Sequence, residues 1–179
     1  MASVKGTETE KNILAAFAGE SQARNKYGFF AKKARKEGYV QVAAAFEETA
    51  NHERAHASTL FKMLEGAIGS TEENLRAAAA GETYEKDDMY PSFAAKAREE
   101  GFEEIALVFE AIANAETMHG ARFTKLADNI ASERVFTRKK KQTWTCRNCG
   151  YQHKGKSAPD SCPACAHGKA HFEVTADNF

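Results

Sequence analysis

The sequence predicts a mainly α protein: a four-helix bundle followed by a small metal-stapled domain of strands and loops. Three observations carry that expectation. Residues 8–131 hold a single proline, Pro91, in a stretch dense in Ala, Glu, Lys and Arg, which is helix-forming composition. The stretch repeats itself. Residues 27–63 laid on 90–126 agree at sixteen of thirty-seven positions, among them Tyr27/Tyr90, Phe30/Phe93, Ala34/Ala97, Arg35/Arg98, Gly38/Gly101, Phe46/Phe109, Glu53/Glu116 and His56/His119. A repeated helical hairpin gives four helices with an approximate two-fold relation. Finally, all four cysteines fall between Cys146 and Cys165, in a segment with no helical period.

The helices read off in order as roughly 8–37, 39–65, 71–100 and 102–131. Glu37-Gly38-Tyr39 and Glu100-Gly101-Phe102 end the first and third, because glycine after a charged turn is a helix stop. The second ends at Gly66-Ala-Ile-Gly69, and Ser70 with Glu73 is a capping start for the third. The expected domains are 1–137 and 138–179, with a basic linker over about 132–142 that contains Arg138-Lys139-Lys140-Lys141. That run reads as a solvated hinge, with a docking patch for an acidic partner as the alternative. Fewer than forty residues need a staple to hold a fold, and four thiols supply one.

Bulk properties exclude several classes. The net charge is zero, which argues against nucleic-acid binding through overall charge. No apolar run has the length of a membrane span, and the first residues lack the apolar core of a signal peptide. A cytoplasmic address is expected, where paired thiols bind metal and do not form disulfides.

The helical chemistry centres on Glu53-Arg-Ala-His56 and Glu116-Thr-Met-His119. A spacing of three puts both side chains on one helix face. Val42, Phe46, Thr49, Glu53, His56, Leu60 and Met63 form one stripe. Ile105, Phe109, Ile112, Glu116, His119, Phe123, Leu126 and Ile130 form another, and both step by 4 and 3 as interior seams do. Neither stripe contains Lys or Arg, so its buried carboxylate has no cation within the seam. Buried charges persist when paired or metal-bound, which points to metal over a polar core layer. Glu20 interrupts the seam of the first helix, and Glu82 and Glu85 fall on that of the third. The set matches ferritin-like di-iron bundles, which use one Glu from each of two helices and a Glu-x-x-His from each of the others. Glu20, Glu53, Glu82 and Glu116 together neutralise two divalent ions; Glu85 is a surplus carboxylate. Tyr27 and Tyr90 read either as core aromatics or as hydrogen-bond donors to the ligating carboxylates. His52 points away from Glu53 and reads as a surface residue.

Cys146-Arg-Asn-Cys149 and Cys162-Pro-Ala-Cys165 give a tetrahedral S4 site for zinc or iron; spacing alone favours a zinc ribbon of purely structural role. His153, His167 and His171 are expected at the surface, since four thiolates complete the coordination.

Taken together, Gly19-Glu20-Ser-Gln-Ala, Asn51-His-Glu53-Arg-Ala-His56, Gly81-Glu82-Thr-Tyr-Glu85 with Met89-Tyr90-Pro91, and Ala115-Glu116-Thr-Met-His119 resemble the rubrerythrin family, over essentially the whole chain. Cys146-Arg-Asn-Cys149-Gly150-Tyr151 and Cys162-Pro163-Ala-Cys165 resemble rubredoxin knuckles, with Trp144, Tyr151 and Phe172 as a small aromatic core. The resemblance implies a ferritin-like bundle with two irons bridged by Glu53 and Glu116. Glu20 and His56 would cap one iron, and Glu82 and His119 the other. Glu85 would exchange with His56 as the redox state changes. It implies a single iron on the four cysteines, a peroxidase acting on hydrogen peroxide in oxidative-stress defence, and a homodimer. Rubredoxin or an NADH-dependent flavoprotein would supply electrons. A ferritin-like ferroxidase handling iron is the alternative, and a redox sensor or structural bundle carrying a zinc ribbon is a third reading.

Overall fold

The computed structural model describes residues 3–176. The chain divides into two compact units, Met1–Gly69 and Ser70–Phe179. The first unit is a helical hairpin of α1 (Glu8–Lys36) and α2 (Val40–Met63). The second contains α3 (Thr71–Tyr84), a π-helical turn (Glu85–Met89), α4 (Tyr90–Glu99), α5 (Glu103–Ala131) and strands β1 (Thr137–Cys146), β2 (Gln152–Ser157) and β3 (Phe172–Val174). The expected class, mainly α with a small C-terminal strand domain carrying the cysteines, is what the chain forms.

Helix ends follow the sequence signals. The Thr7 hydroxyl accepts the Glu10 N–H at 3.2 Å and caps α1. Ser70 and Glu73 form a reciprocal capping box at the start of α3. Gly38 and Gly101 close α1 and α4 at φ 87° and 86°, where an L side chain is strained. Behind them, Tyr39 N–H donates to Ala34 O at 2.9 Å and Phe102 N–H to Ala97 O at 2.8 Å, the six-to-one bond of a Schellman stop.

Three expectations need correction. The helix expected over 71–100 is interrupted by the π turn, where Tyr90 N–H reaches back five residues to Glu85 O. Pro91 in the first turn of α4 is the physical reason. It has no N–H for the carbonyl four residues back, and the widened turn absorbs that break. Second, the seams are not interior: Val42, Met63, Ile105 and Leu126 are 47%, 52%, 48% and 45% exposed. What each hairpin buries is the line of closest helix approach, made of small residues: Ala31, Ala34, Ala43 and Ala57 in the first unit, and Ala94, Ala97, Ala106 and Ala127 in the second. The seams flank that line on each hairpin's apolar face. Third, Arg138–Lys141 form no linker. They lie within β1.

Aromatics repeat with the helices. Phe46 meets Tyr27 and Phe30 at 6.1 and 5.6 Å between centroids, and Phe109 meets Tyr90 and Phe93 at 6.1 and 5.7 Å. The strands form an antiparallel sheet of order β2-β1-β3. Its small core contains Trp144, Cys146, Ala158, Cys162 and Phe172, with Tyr151 against them, as the knuckle resemblance implied.

Candidate metal centres

Each unit builds its own cluster of ligand atoms. In the first, α1 carries Glu20, and α2 places Glu53 and His56 one turn apart. His56 Nδ1 lies 2.8 Å from Glu53 Oε2 and 3.8 Å from Glu20 Oε1. In the second unit α3 carries Glu82 and α5 carries Glu116 and His119. His119 Nδ1 lies 2.5 Å from Glu116 Oε2 and 3.6 Å from Glu82 Oε2. Within each triad the ligand atoms lie within 4.8 Å of one another. The same ring nitrogen, Nδ1, faces the carboxylates in both.

The electrostatics ask for a cation. Burial pushes the Glu82 carboxyl up, and the hydrogen bond and charge of Glu116 push it further, against the pull of His119. Tyr90 is raised by burial and by the negative charges of Glu85, Glu116 and Glu82. Two carboxylates this close share a proton or a positive ion. Each triad offers two carboxylates and one imidazole, which balances one divalent ion of the first transition row. These residues therefore fit one metal per triad.

Glu85 stands apart from both triads. It is half-buried on the π turn. The spacing explains why this turn exists in the second unit alone: Glu20 precedes Tyr27 by seven residues, whereas Glu82 precedes Tyr90 by eight. The repeat offset thus changes by one residue across the turn, a signal that sequence reasoning could have used and missed. Gly120 was also missed. A Cβ built there would sit 3.4 Å from Glu82 Cβ, which places this point of α5 directly against the ligand-bearing turn of α3. Tyr27 and Tyr90 make the ring contacts described above, and His52 is exposed as expected.

The four sulfurs also lie within 4.8 Å of one another. Cys146 and Cys165 Sγ are 3.8 Å apart, and Cys149 and Cys162 Sγ 3.6 Å. A tetrahedron with metal–sulfur bonds of about 2.3 Å has edges of about 3.8 Å, so the site is sized for an S4 ion. Crowding splits the thiol titrations. The His167 backbone N–H leads in pulling Cys165 down to about 5. The Tyr151 backbone N–H lowers Cys149, but the neighbouring sulfurs and burial outweigh it and hold the thiol at about 12. Two backbone turns shape the knuckles: Gly150 N–H donates to Cys146 O at 2.9 Å, and Ala166 N–H to Cys162 O at 2.8 Å.

His153 and His167 are half-buried where surface positions were expected; His171 is exposed. The His153 ring lies against Gly155, and His167 packs edge-on to His171 with centroids 4.5 Å apart. His167 Nδ1 sits 3.1 Å from the Cys165 carbonyl. None of the three joins the sulfur cluster.

The basic run has an unexpected geometry. In the β1–β2 ladder Thr137 faces Ser157 and Gln142 faces Gly155, so Arg138, Lys139, Lys140 and Lys141 bulge opposite Lys156 alone. Among the described residues, neither these five nor Arg134 and Lys154 form an ion pair. The Arg138 guanidinium lies 5.8 Å from the centre of the Trp144 ring. Residues 138–179 carry eight Lys and Arg against three Asp and Glu, while residues 1–137 carry seventeen against twenty-two. The neutral total hides charges of +5 and −5.

Comparison with known proteins gives concordant matches. The family described as Rubrerythrin matches residues 11–127, and the rubrerythrin rubredoxin-like domain matches residues 144–173. The chain is 55% identical to a rubrerythrin of Nitratidesulfovibrio vulgaris, with all of both chains covered. It is 51% identical to a rubrerythrin of Porphyromonas gingivalis, covering 99% of this chain and 94% of that one. Among solved structures, a partially reduced nigerythrin is 34% identical, covers 98% of this chain and 88% of that one, and superposes with a TM-score of 0.37.

Proposed function

The chain belongs to the rubrerythrin family, with a carboxylate–histidine di-iron domain and a four-cysteine rubredoxin-like domain, and from that premise we propose that it is a non-haem di-iron peroxidase. It would reduce hydrogen peroxide by two electrons and two protons to two waters, as a cytoplasmic homodimer. Glu20, Glu53, His56, Glu82, Glu116 and His119 would hold the paired irons. Cys146, Cys149, Cys162 and Cys165 would hold the single iron that relays electrons.

When bound, the iron pair supplies the two electrons and a double Lewis-acid template for breaking the O–O bond. The rest falls to the chain. Glu53 and Glu116, the more buried carboxylate of each triad, would be ligands to the pair. His56 and His119 turn Nδ1 toward Glu53 and Glu116 across i, i+3, so each ring faces the carboxylate with which it would share a metal in place of that contact. Glu85 would offer an anionic oxygen, a donor that a ferric ion favours over imidazole.

The observation that carries this reading is the presence, in one chain, of two carboxylate–imidazole triads and an S4 site. A two-electron reaction at the first needs refilling one electron at a time, and the second is suited to that. A ferroxidase would need no such module. Rubredoxin or an NADH-dependent flavoprotein is the donor this reading requires. Stopped-flow mixing of the diferrous protein tests it: peroxide should reoxidise the irons at least tenfold faster than oxygen, and equal rates would sink the peroxidase reading in favour of iron oxidation.

A further inference from the structure

We infer that the elbow between α5 and β1 is a binding site for a phosphate monoester with an apolar or aromatic body, the chemistry of a mononucleotide. The site lies wholly within the second unit and uses none of the candidate metal ligands.

A tight stop to α5 builds the elbow. Glu133 N–H donates to Ile130 O at 3.0 Å and Arg134 N–H to Asn129 O at 2.7 Å, the second being the six-to-one bond of a Schellman turn. Glu133 makes that turn at φ 55°, where glycine is the usual residue. Strain of this kind persists where the surrounding structure holds it, and it gathers at ligand clamps. Just beyond, the β1 bulge takes Arg138 and Lys139 out of the regular alternation of a strand. Helix stop and bulge together bring Arg134, Arg138 and Lys139 into the wall of one cleft of about 580 Å³, with Ser132 and Thr137 beside them. Small-molecule sites usually measure about 300–1,000 Å³.

The charges in this cleft do not balance. Three cations and one carboxylate, Glu133, line it, and none of the four is ion-paired among the described residues. The surplus of two positive charges is what a phosphate dianion neutralises. Arg138 is half-buried, and burial together with the Arg134 guanidinium weakens its hold on its proton. A cation desolvated beside a like charge calls for a counter-ion. Arg138 is also held in place. Its Nη1 donates to Thr137 O at 3.0 Å, and its guanidinium lies 5.8 Å from the centre of the Trp144 ring. Its remaining N–H groups form a fork of the kind that meets phosphate oxygens in pairs.

The body of the ligand has its own place. A second cleft of about 650 Å³ meets the first at Glu133 and Thr137, which line both. Ile130, Val135 and Phe136 give it an apolar wall. A free phosphate would leave that wall unused, whereas a phosphate joined to a ring fills both clefts.

Calorimetric titration of the full-length, metal-loaded protein tests this at fixed ionic strength, with adenosine monophosphate, inorganic phosphate and adenosine as probes. Adenosine monophosphate should bind once per chain and at least about tenfold more tightly than inorganic phosphate, and adenosine should not bind measurably. Arg134→Gln should weaken the nucleotide by at least about tenfold. If that variant disturbs the elbow itself, Arg134→Lys keeps the charge without the fork and should recover part of the loss. Lys141→Gln removes the same charge outside the cleft and should change binding by no more than about twofold, as a screened surface charge does. Equal losses in Arg134→Gln and Lys141→Gln would reduce the site to the general charge of the sheet and overturn the inference. Inorganic phosphate binding as tightly as the nucleotide would overturn it in favour of a free anion, because the apolar wall would then take no part. Absence of nucleotide binding at millimolar concentration would overturn it outright.

Discussion

Arg98 on α4 grips Glu110 on α5 with both arms of its guanidinium, Nη1 2.6 Å from Oε1 and Nη2 3.0 Å from Oε2. Its Nε donates to the Glu103 carboxylate at 3.0 and 3.1 Å. The equivalent pair in the first unit, Arg35 and Glu47, makes one contact of 2.5 Å. Arg98 thereby holds the Glu110 carboxyl below the usual range. The native state then binds that proton more weakly than the unfolded chain. Its contribution is complete above the ordinary Glu range, about 4.3, and is lost as pH falls through the lower native value. Glu110→Gln should lower the melting temperature of metal-free protein at pH 7 by a small amount, as exposed pairs do. The gap between variant and wild type should close below about pH 4. A gap that widens in acid would contradict the sign.

The two knuckles differ at one backbone position. Gly150 follows Cys149 at φ 79°, and Ala166 follows Cys165 at φ 58°. A Cβ at Gly150 meets nothing within 4 Å, so Gly150→Ala should cost only backbone strain, about 1–2 kcal/mol. Ala166→Gly relieves the same strain but loosens the unfolded chain, for a net gain of about 0.5–1 kcal/mol. Thermal unfolding of the two variants, followed at Trp144, should move in opposite directions.

Much of this was legible in the sequence because local rules set it. Gly38, Gly101 and the Ser70–Glu73 box end and start helices through their own backbone chemistry, and the i, i+3 spacing of Glu53 with His56 fixes a shared face whatever the surroundings. The two triads and the sulfur tetrahedron follow from such spacing. Burial was not legible in the same way. The periodic stripe through Val42 and Ile105 marks an apolar face, but periodicity does not say how much of that face its own hairpin buries. The π turn was hidden for another reason: a continuous hydrophobic period and one proline look like a kinked α-helix, and only the one-residue change in repeat offset between Glu82 and Tyr90 reveals the insertion. The bulge at Arg138–Lys141 depends on pairing with β2, a long-range register that composition does not encode.

Cys149 is the exposed member of the sulfur cluster, and Cys146 and Cys162 are buried. Removing its ligand atom should break the relay without touching the triads. Cys149→Ser is expected to abolish turnover with an external protein donor. Single-turnover peroxide reduction by chemically pre-reduced protein should stay within about twofold of wild type, less than the 1.4 kcal/mol that a tenfold change represents. Loss of both would mean that the cysteine domain supports the helices structurally.

The unpaired cations of the β1 bulge predict how the donor is met. A patch of one sign raises encounter rates with a partner of the other sign and loses that advantage in salt. Reversing Lys139, Lys140 and Lys141 to Glu should slow reduction of the four-cysteine iron by an acidic donor protein about tenfold or more at low salt. It should also flatten the salt dependence. Reduction by a small uncharged reductant should not change. An equal effect on both reductants would place the damage in the fold of the sheet and not in docking.

The π turn makes a sharper prediction about Glu85. Deleting exposed Asp88 returns the spacing from Glu82 to Tyr90 to the seven residues found between Glu20 and Tyr27, where an unbroken α-helix already places a ligating Glu and a packed Tyr correctly. Both triads should therefore keep their geometry, and iron content should match wild type. The backbone that carries Glu85 changes, because the deletion turns the π turn into an ordinary α-helical turn. Peroxide turnover should fall by about as much as in Glu85→Gln. In the double variant the two losses should not add, since both remove the same carboxylate from the same place. Additive losses would show that the turn serves something other than Glu85. Loss of iron would show that the turn holds the metal pair itself.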